Sequence, residues 1–203
     1  MPEVNLERLN EFCEAWLRKA QACDNSIAGV FDRFFALWIV FNRLYEESAR
    51  ILINENDQSI FRFRWKNKKP YGPPPDRMAA TIFIVRFCGE NTLRSALTAA
   101  RRMENALHFI ESGQLYLHED YTTGEPDYDR DQKLVQCSRQ GDIQALMALI
   151  YQARCNLFHG QKAYSDAQRP LLEGMNEVLQ IVIRCAQQKM QQRTEAQPER
   201  FTL

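Results

Sequence analysis

The segment GDIQALMALIYQARCNLFHG, which runs from Gly141 to Gly160, decides the fold because it reads as one helix with both ends marked. Asp142 is a favourable N-cap residue, and glycine, here Gly160, is the residue type that most often follows the last helical turn. The apolar residues between them recur at spacings of three and four, and they are Ile143, Leu146, Met147, Ile150, Ala153 and Leu157. A stripe of this width predicts a helix that packs into the core of a bundle.

The last turn of this predicted helix carries polar groups that core packing does not explain. Arg154 and His159 are five residues apart, which is a rotation of about 140° on an ideal helix. They therefore converge only if the helix loosens at its end, or if the ends of two such helices meet across a two-fold axis. The negative end of the helix dipole favours the protonated form of an imidazole at this place. An arginine beside a tunable histidine suits phosphate chemistry.

The hexapeptide RCNLFH, from Arg154 to His159, resembles the R-x4-6-H motif of the HEPN family, the higher eukaryotes and prokaryotes nucleotide-binding domains. Its context agrees with the resemblance, because the motif ends a late helix, is followed by Gly160 and Lys162, and precedes one more long helix. The segment LWIVFNRLY, residues 37–45, is also similar to bacterial members of this group.

The resemblance covers most of residues 5–190, and it implies an all-α fold, a HEPN-like antiparallel helical bundle. Two insertions interrupt it, a basic and aromatic one at about 53–76 and a short loop or hairpin at 114–129. We expect a single helical domain over 1–190, followed by a polar, flexible tail over 191–203.

The resemblance also implies an activity, metal-independent cleavage of RNA that leaves a 2′,3′-cyclic phosphate. Two motifs usually face each other across a homodimer in this family, so His159 of one protomer would be the base and its symmetry mate the acid. Arg154 would hold the phosphate through its guanidinium fork. Asn156 would orient the imidazole or donate to the phosphate, and Lys162 would contact the RNA backbone. The expected partners are RNA and an antitoxin or phage-defence protein, with no metal and no cofactor.

Two alternatives stay open. The chain could be a non-catalytic HEPN-like module that binds a nucleotide, RNA or a protein partner. In a purely structural reading, Arg154 pairs with a carboxylate and His159 caps the helix. The chain also departs from members paired with nucleotidyltransferase antitoxins, which often carry a tyrosine two residues after the histidine. Gln161 occupies that position here and Tyr164 comes later, so regulation by tyrosine adenylylation is not expected.

Length and composition indicate an ordinary globular protein. A chain of 203 residues with 45% hydrophobic and 26% charged residues can bury a stable core without disulfides or metal. The 26 basic and 26 acidic residues cancel, so a nucleic-acid site has to be local. No apolar run is long enough to cross a membrane, and the first five residues lack the features of a signal peptide. We expect a cytoplasmic protein.

Six cysteines are scattered singly along the chain, which indicates reduced thiols that act as small hydrophobes. Glu104, His108 and Glu111 share one helix face and could in principle ligate a metal. No matching ligands from a second helix are visible in the sequence, so this pattern favours a solvated polar face and no metal site is predicted.

The other predicted helices are 5–22, 27–52, 76–88 with Asp76 as its cap, 92–112, 130–140, and a last helix that is capped by Ser165 or Asp166 and frays from Gln187 onward. Helix 27–52 is more apolar than one face can hold, so we expect it at the centre of the bundle. Asn42 lies within it, either as a core amide bonded to its neighbours or as support for the Arg154 and His159 end.

The segment IFRFRWKNKKPYGPPP, residues 60–75, alternates aromatic and basic side chains before a proline-rich end. Arg62, Arg64 and Lys66 would lie on one side of an extended chain and the aromatic rings on the other. Single-stranded RNA binding uses this combination, and we assign these three residues to RNA contact. The alternative is that the rings cover the bundle while the cations face water.

Overall fold

The computed structural model describes residues 5–55, 74–158 and 165–196. Every regular element in these ranges is helical, and one isolated β-bridge joins Glu119 to Pro126. The fold is therefore all-α, as the sequence predicts. No helix in the described ranges combines the length and the apolar character that crossing a bilayer requires.

The helices in chain order are α1 (Leu6–Ala22), α2 (Ile27–Asn54), α3, which joins Asp76–Met78, a π-helical turn Ala79–Phe83 and Ile84–Cys88, α4 (Glu90–Leu97), α5 (Arg101–Glu111), α6 (Tyr128–Arg139), α7 (Ile143–Phe158) and α8 (Arg169–Ala196). A short 3-10 turn, Asp166–Gln168, precedes α8.

Helix α2 is the centre of the bundle, as its apolar composition predicts. It packs against α1, α3 and α8, so side chains on more than one of its faces are buried. Phe34, Phe41 and Leu44 have almost no exposed surface. A helix surrounded in this way can be apolar on most of its circumference.

Helix α7 has the start and the buried stripe that the sequence predicts. The Asp142 side chain accepts a hydrogen bond from the Ala145 amide at 3.0 Å and so caps the helix. Ile143, Met147 and Ile150 are buried in the main core. Helix α6 packs along one side of α7, and the π-helical turn of α3 contacts both α7 and α2. Helix α3 therefore lies between the two helices that carry the sequence motifs.

The single helix predicted over 92–112 is wrong, because the structure divides it into α4 and α5 at residues 98–100. The division has a tertiary cause that local sequence does not reveal. Glu177 on α8 accepts hydrogen bonds from the backbone amides of Arg102 and Met103 at 2.8 and 3.4 Å. A carboxylate at this place satisfies free amides in the first turn of α5 and so starts a new helix there.

The last helix extends past Gln187, where the sequence predicts fraying. Arg193 pairs with Glu55 at the end of α2 and lies over the ring of Phe87 with its Cζ 4.8 Å from the ring centroid. These two contacts hold the end of α8 against the bundle as far as Ala196.

The close contact between α5 and α8 gives a test of the packing. A Cβ atom at Gly174 would lie 2.9 Å from Met103 Cα and 3.1 Å from Ala106 Cβ. Gly174→Ala should lower the free energy of unfolding by about 1 kcal/mol, since overpacking costs about 1–3 kcal/mol while alanine gains at most about 1 kcal/mol in helix propensity. Urea unfolding measures the change. Gln180→Ala, at an exposed site on α8, is the control and should not destabilise. Equal effects of the two variants would contradict this packing.

Two buried thiols predict how stability depends on pH. Burial raises the pKa of Cys13 to about 11 and that of Cys88 to about 12, above the value of 9.0 for a free thiol. The unfolded chain therefore loses these protons first, and the free energy of unfolding should fall as pH rises above about 9.

The measurement is urea unfolding between pH 7 and pH 11 on the wild type and on Cys13→Ala/Cys88→Ala. The double variant lacks both thiols, so its stability should fall less steeply with pH above about 9. Identical slopes for the two proteins would show that the buried thiols do not titrate as the structure requires.

Candidate functional site

Arg154, the arginine of the sequence motif, lies on a platform of aromatic rings. Its Cζ is 4.8 Å from the ring centroid of Phe158 and 5.3 Å from that of Trp38. Phe158 follows Arg154 by one helical turn and so shares its face of α7, whereas Trp38 comes from α2. Cation–π contacts of this kind contribute about 0.5–2 kcal/mol each, depending on how dry they are. The guanidinium is therefore held in place by ring faces.

The hydrogen-bond donors of Arg154 are not used by these contacts. Its Nε is buried and has no hydrogen-bond partner among the described residues. Among the residues that the structure describes, no carboxylate lies within 4 Å of the guanidinium, so the ion pair of the purely structural reading is not formed there. A guanidinium has five N–H donors in a planar fork that matches phosphate and carboxylate. The arrangement suits an anion that comes from outside the described chain.

Asp76 joins α2, α3 and α7 through Tyr45 and through Tyr151, which lies one turn along α7 from this arginine. Tyr151 on α7 donates from Oη to Asp76 Oδ2 at 2.7 Å, and the Tyr45 hydroxyl on α2 is hydrogen-bonded to Asp76 Oδ1. The sequence predicts Asp76 as a helix cap. That prediction is wrong, because the helix begins at Asp76 itself with Pro75 in the cap position, and the carboxylate is bonded to the two tyrosines.

The two tyrosines stay protonated over the physiological range. Burial is the largest cause that raises the pKa of Tyr45 and of Tyr151, and the hydrogen bond to Asp76 raises both further. The charge of Arg154 opposes both shifts, which shows that the guanidinium is electrostatically close to both phenols. The neutral phenols therefore donate hydrogen bonds to Asp76. They carry no negative charge that could form an ion pair with Arg154.

Asn42 extends this network along α2. Its Oδ1 and Asp76 Oδ1 both lie within hydrogen-bonding distance of the Tyr45 hydroxyl, which has one proton to donate to one of them at a time. Asn42 Nδ2 donates to Glu46 Oε1 at 3.0 Å. The amide is thus bonded to neighbouring side chains, as the first interpretation of this residue requires. Through Tyr45 it also supports Asp76 beside Arg154, so the two interpretations of Asn42 describe one network.

Asn156 does not share a face with Arg154. Two residues on a helix are about 200° apart, and the buried Asn156 amide donates to the Leu117 carbonyl at 2.7 Å. Its Oδ1 accepts from Gln152 Nε2 at 2.9 Å. Both ends of the amide are engaged in holding the 115–118 loop on α7. We assign Asn156 a packing role and leave it out of the site proposed below.

The same loop contains a buried histidine and aspartate that the sequence does not single out. His118 Nδ1 is 2.6 Å from Asp131 Oδ1, and both side chains are almost fully buried. Asp131 Oδ2 accepts from the backbone amides of Leu117 and His118. The Asp131 carboxylate thereby fixes the loop to α6, while Asn156 fixes it to α7. The pair serves the packing around the site and lies away from Arg154 in the contact network.

The other predicted site residues lie outside the described ranges. They are His159, Lys162, Arg62, Arg64 and Lys66. The structure neither places them near Arg154 nor separates them from it. The polar face of Glu104 and Glu111 is described, and both carboxylates pair with Arg139 at 2.8 Å.

The residues around Arg154 that the sequence did not assign to a site are Trp38, Tyr45, Asp76 and Tyr151. Tyr151 could have been found, since it precedes Arg154 by three residues and so shares its face. Asp76 lies 75 residues from Tyr151 in the sequence, and no local pattern connects them. No family model, curated protein or solved structure matches this chain. A functional proposal therefore rests on the sequence motif and on the geometry around Arg154.

Proposed function

We propose that this chain is a metal-independent endoribonuclease of the HEPN type, in which Arg154 binds the scissile phosphate. The observation that carries the proposal is the guanidinium itself, held by the faces of Trp38 and Phe158 with its N–H donors free of any carboxylate in the described chain. A structural arginine is ordinarily satisfied by a carboxylate or by carbonyl groups. An arginine held by ring faces, with no carboxylate partner among the described residues, keeps its two Nη groups for an anion, since Nε is buried.

The reaction is a transesterification within the RNA chain. The 2′-oxygen attacks the adjacent phosphorus, the bond from phosphorus to the 5′-oxygen breaks, and the products are a 2′,3′-cyclic phosphate and a free 5′-hydroxyl. His159 of one protomer takes the 2′-hydroxyl proton, and the partner's His159 gives a proton to the leaving oxygen. Arg154 stabilises the negative charge that gathers on the phosphorane. No atom is added, so the step needs no further reactant.

The network around Asp76 supports Arg154 in this role. Tyr45 and Tyr151 both donate to the Asp76 carboxylate, which satisfies that charge without the guanidinium. A cation near a carboxylate that already has its hydrogen bonds keeps favourable electrostatics and free donors. The Arg154 side chain would therefore already be oriented before RNA binds.

The chemistry is tested by Arg154→Ala and His159→Ala. Each should lower the rate of RNA cleavage by roughly a hundred-fold or more, the scale expected for an acid–base group or an oxyanion donor. The assay incubates purified protein with mixed RNA in EDTA and analyses the 3′ ends for cyclic phosphate. Arg18→Ala, which removes the same charge at a site whose side chain is 73% exposed on α1, is the control and should cleave normally.

Two outcomes of this assay decide against the mechanism. Cleavage that persists in His159→Ala, or that disappears in EDTA, rules it out. Wild-type protein that binds RNA through Arg154 but never cleaves it would establish the alternative, a non-catalytic HEPN-like binding module. The rate should also depend on pH in a bell shape, because one histidine has to be neutral while its mate is protonated.

The mechanism further requires a homodimer in which the C-terminal ends of the two α7 helices meet. An isologous contact doubles the number of arginine and histidine groups around one phosphate. Sedimentation equilibrium at micromolar concentration should give twice the 23.8 kDa mass of the chain. A mixture of Arg154→Ala and His159→Ala protomers should form heterodimers, and residual activity then reports whether the site is shared. A strict monomer that cleaves RNA at full rate would refute the composite site.

A further inference from the structure

Two phenylalanine rings beside Arg154 are stacked on each other at the protein surface. Phe35 on α2 and Phe158 on α7 have ring centroids 5.2 Å apart and planes only 17° from parallel. Each residue is nevertheless 39% exposed. Single exposed aromatic residues are common on protein surfaces and need no explanation. A parallel pair from two helices, open to solvent, presents a flat apolar surface for another planar group.

The charge of Arg154 lies on this stack. Its Cζ is 4.8 Å from the Phe158 centroid, so the Phe158 ring contacts both the guanidinium and the Phe35 ring. We call this group the Arg–Phe–Phe stack. The guanidinium therefore contacts a ring whose stacked partner, Phe35, is exposed to solvent. An aromatic surface and a cation on one face of the protein can bind a base and a backbone phosphate of the same nucleic-acid strand.

We infer that the Arg–Phe–Phe stack binds an unpaired base of single-stranded RNA on Phe35, while Arg154 holds a neighbouring phosphate. This inference rests on the proposed function, because it gives the substrate class of the same site. Bases inside duplex RNA are already stacked on their neighbours along both faces, so an unpaired base is far more accessible to the rings. The platform therefore selects single-stranded RNA over duplex.

The chemistry of the rings also sets the expected base preference. Phenylalanine has no hydrogen-bonding group, so the stack does not read the edges of a base and should accept all four. Purines should bind more tightly than pyrimidines, because a larger ring system covers more of the Phe35 face.

Charge argues for RNA, and against direct burial under the second copy of the proposed dimer, as the occupant of the two rings. An apolar contact between copies would bury the Arg154 guanidinium without supplying an anion, and a buried charge with no partner is costly. Two half-exposed rings are also far less surface than a stable protein interface needs, which is on the order of 1,000 Å². A phosphate beside a stacked base satisfies both parts of the site.

The experiment measures binding without cleavage. The probe is a 2′-O-methyl RNA octamer, which cannot be cut because its nucleophile is blocked, with one 2-aminopurine whose fluorescence is quenched on stacking. Binding to the wild type should quench the probe. Phe35→Ala should weaken binding on the order of ten-fold and remove the quench, while Phe35→Trp should keep both, since stacking is restored.

The matched control is Phe12→Ala, which removes a ring of similar exposure, 37%, from α1 and should leave affinity and quench unchanged. A blunt-ended duplex of the same sequence should compete at least ten-fold less well than the single strand. Unchanged affinity and quench in Phe35→Ala, or equal losses in Phe35→Ala and Phe12→Ala, would overturn the inference.

Two further results separate this inference from the proposed function. Binding and Phe35-dependent quench in a protein that never cleaves unmodified RNA would support the stack while the ribonuclease proposal fails. Dissociation of a dimer by Phe35→Ala, with unchanged RNA affinity, would overturn the inference and assign the rings to contact between copies.

Discussion

The hydrogen bonds to Asp76 are the constraint on which the candidate site depends. The carboxylate begins α3, accepts from Tyr45 on α2 and accepts from Tyr151 on α7. Charge-assisted hydrogen bonds contribute about 1.5–3 kcal/mol each, and here they fix the relative position of three helices. Arg154 is one turn along α7 from Tyr151, so its position follows from the same contact. The Trp38 ring that receives the guanidinium is two turns along α2 from Tyr45.

Holding an arginine by ring faces has a different physical result from holding it by a carboxylate. An ion pair uses the N–H donors and cancels the charge, whereas an aromatic face attracts the charge through the ring quadrupole and leaves the donors in the plane free. The two phenols that bind Asp76 have a related effect. They satisfy the Asp76 carboxylate with neutral donors, and those donors stay protonated because their pKa values are raised.

The sequence predicts those parts of the fold that local chemistry determines. The start of α7 follows from Asp142, its buried stripe follows from apolar spacing, and the central place of α2 follows from its composition. The break between α4 and α5 could not be predicted, since the Glu177 carboxylate that causes it comes from α8. The same limit applies to the site. Arg154 is visible as a motif residue, but the Asp76 network that Tyr151 joins one turn away is not, since the partners of Asp76 are 31 and 75 residues from it in the sequence. Asn156 has the right spacing for the motif, yet the loop carbonyl that binds it is invisible in local sequence.

The number of residues in the π-helical turn Ala79–Phe83 determines the position of Asp76, whereas the core packing of the following segment does not depend on it. A π-turn holds one residue more than an α-helical turn of the same rise, and such bulges recur at functional sites. Deleting one residue there would let α3 become a regular helix, with Ile84–Cys88 still packed in the core. The residues before the deletion would rotate by about 100°, which carries Asp76 away from both tyrosines. In an alignment of related chains, a one-residue gap at this turn would therefore separate proteins that keep the site from proteins that share only the bundle.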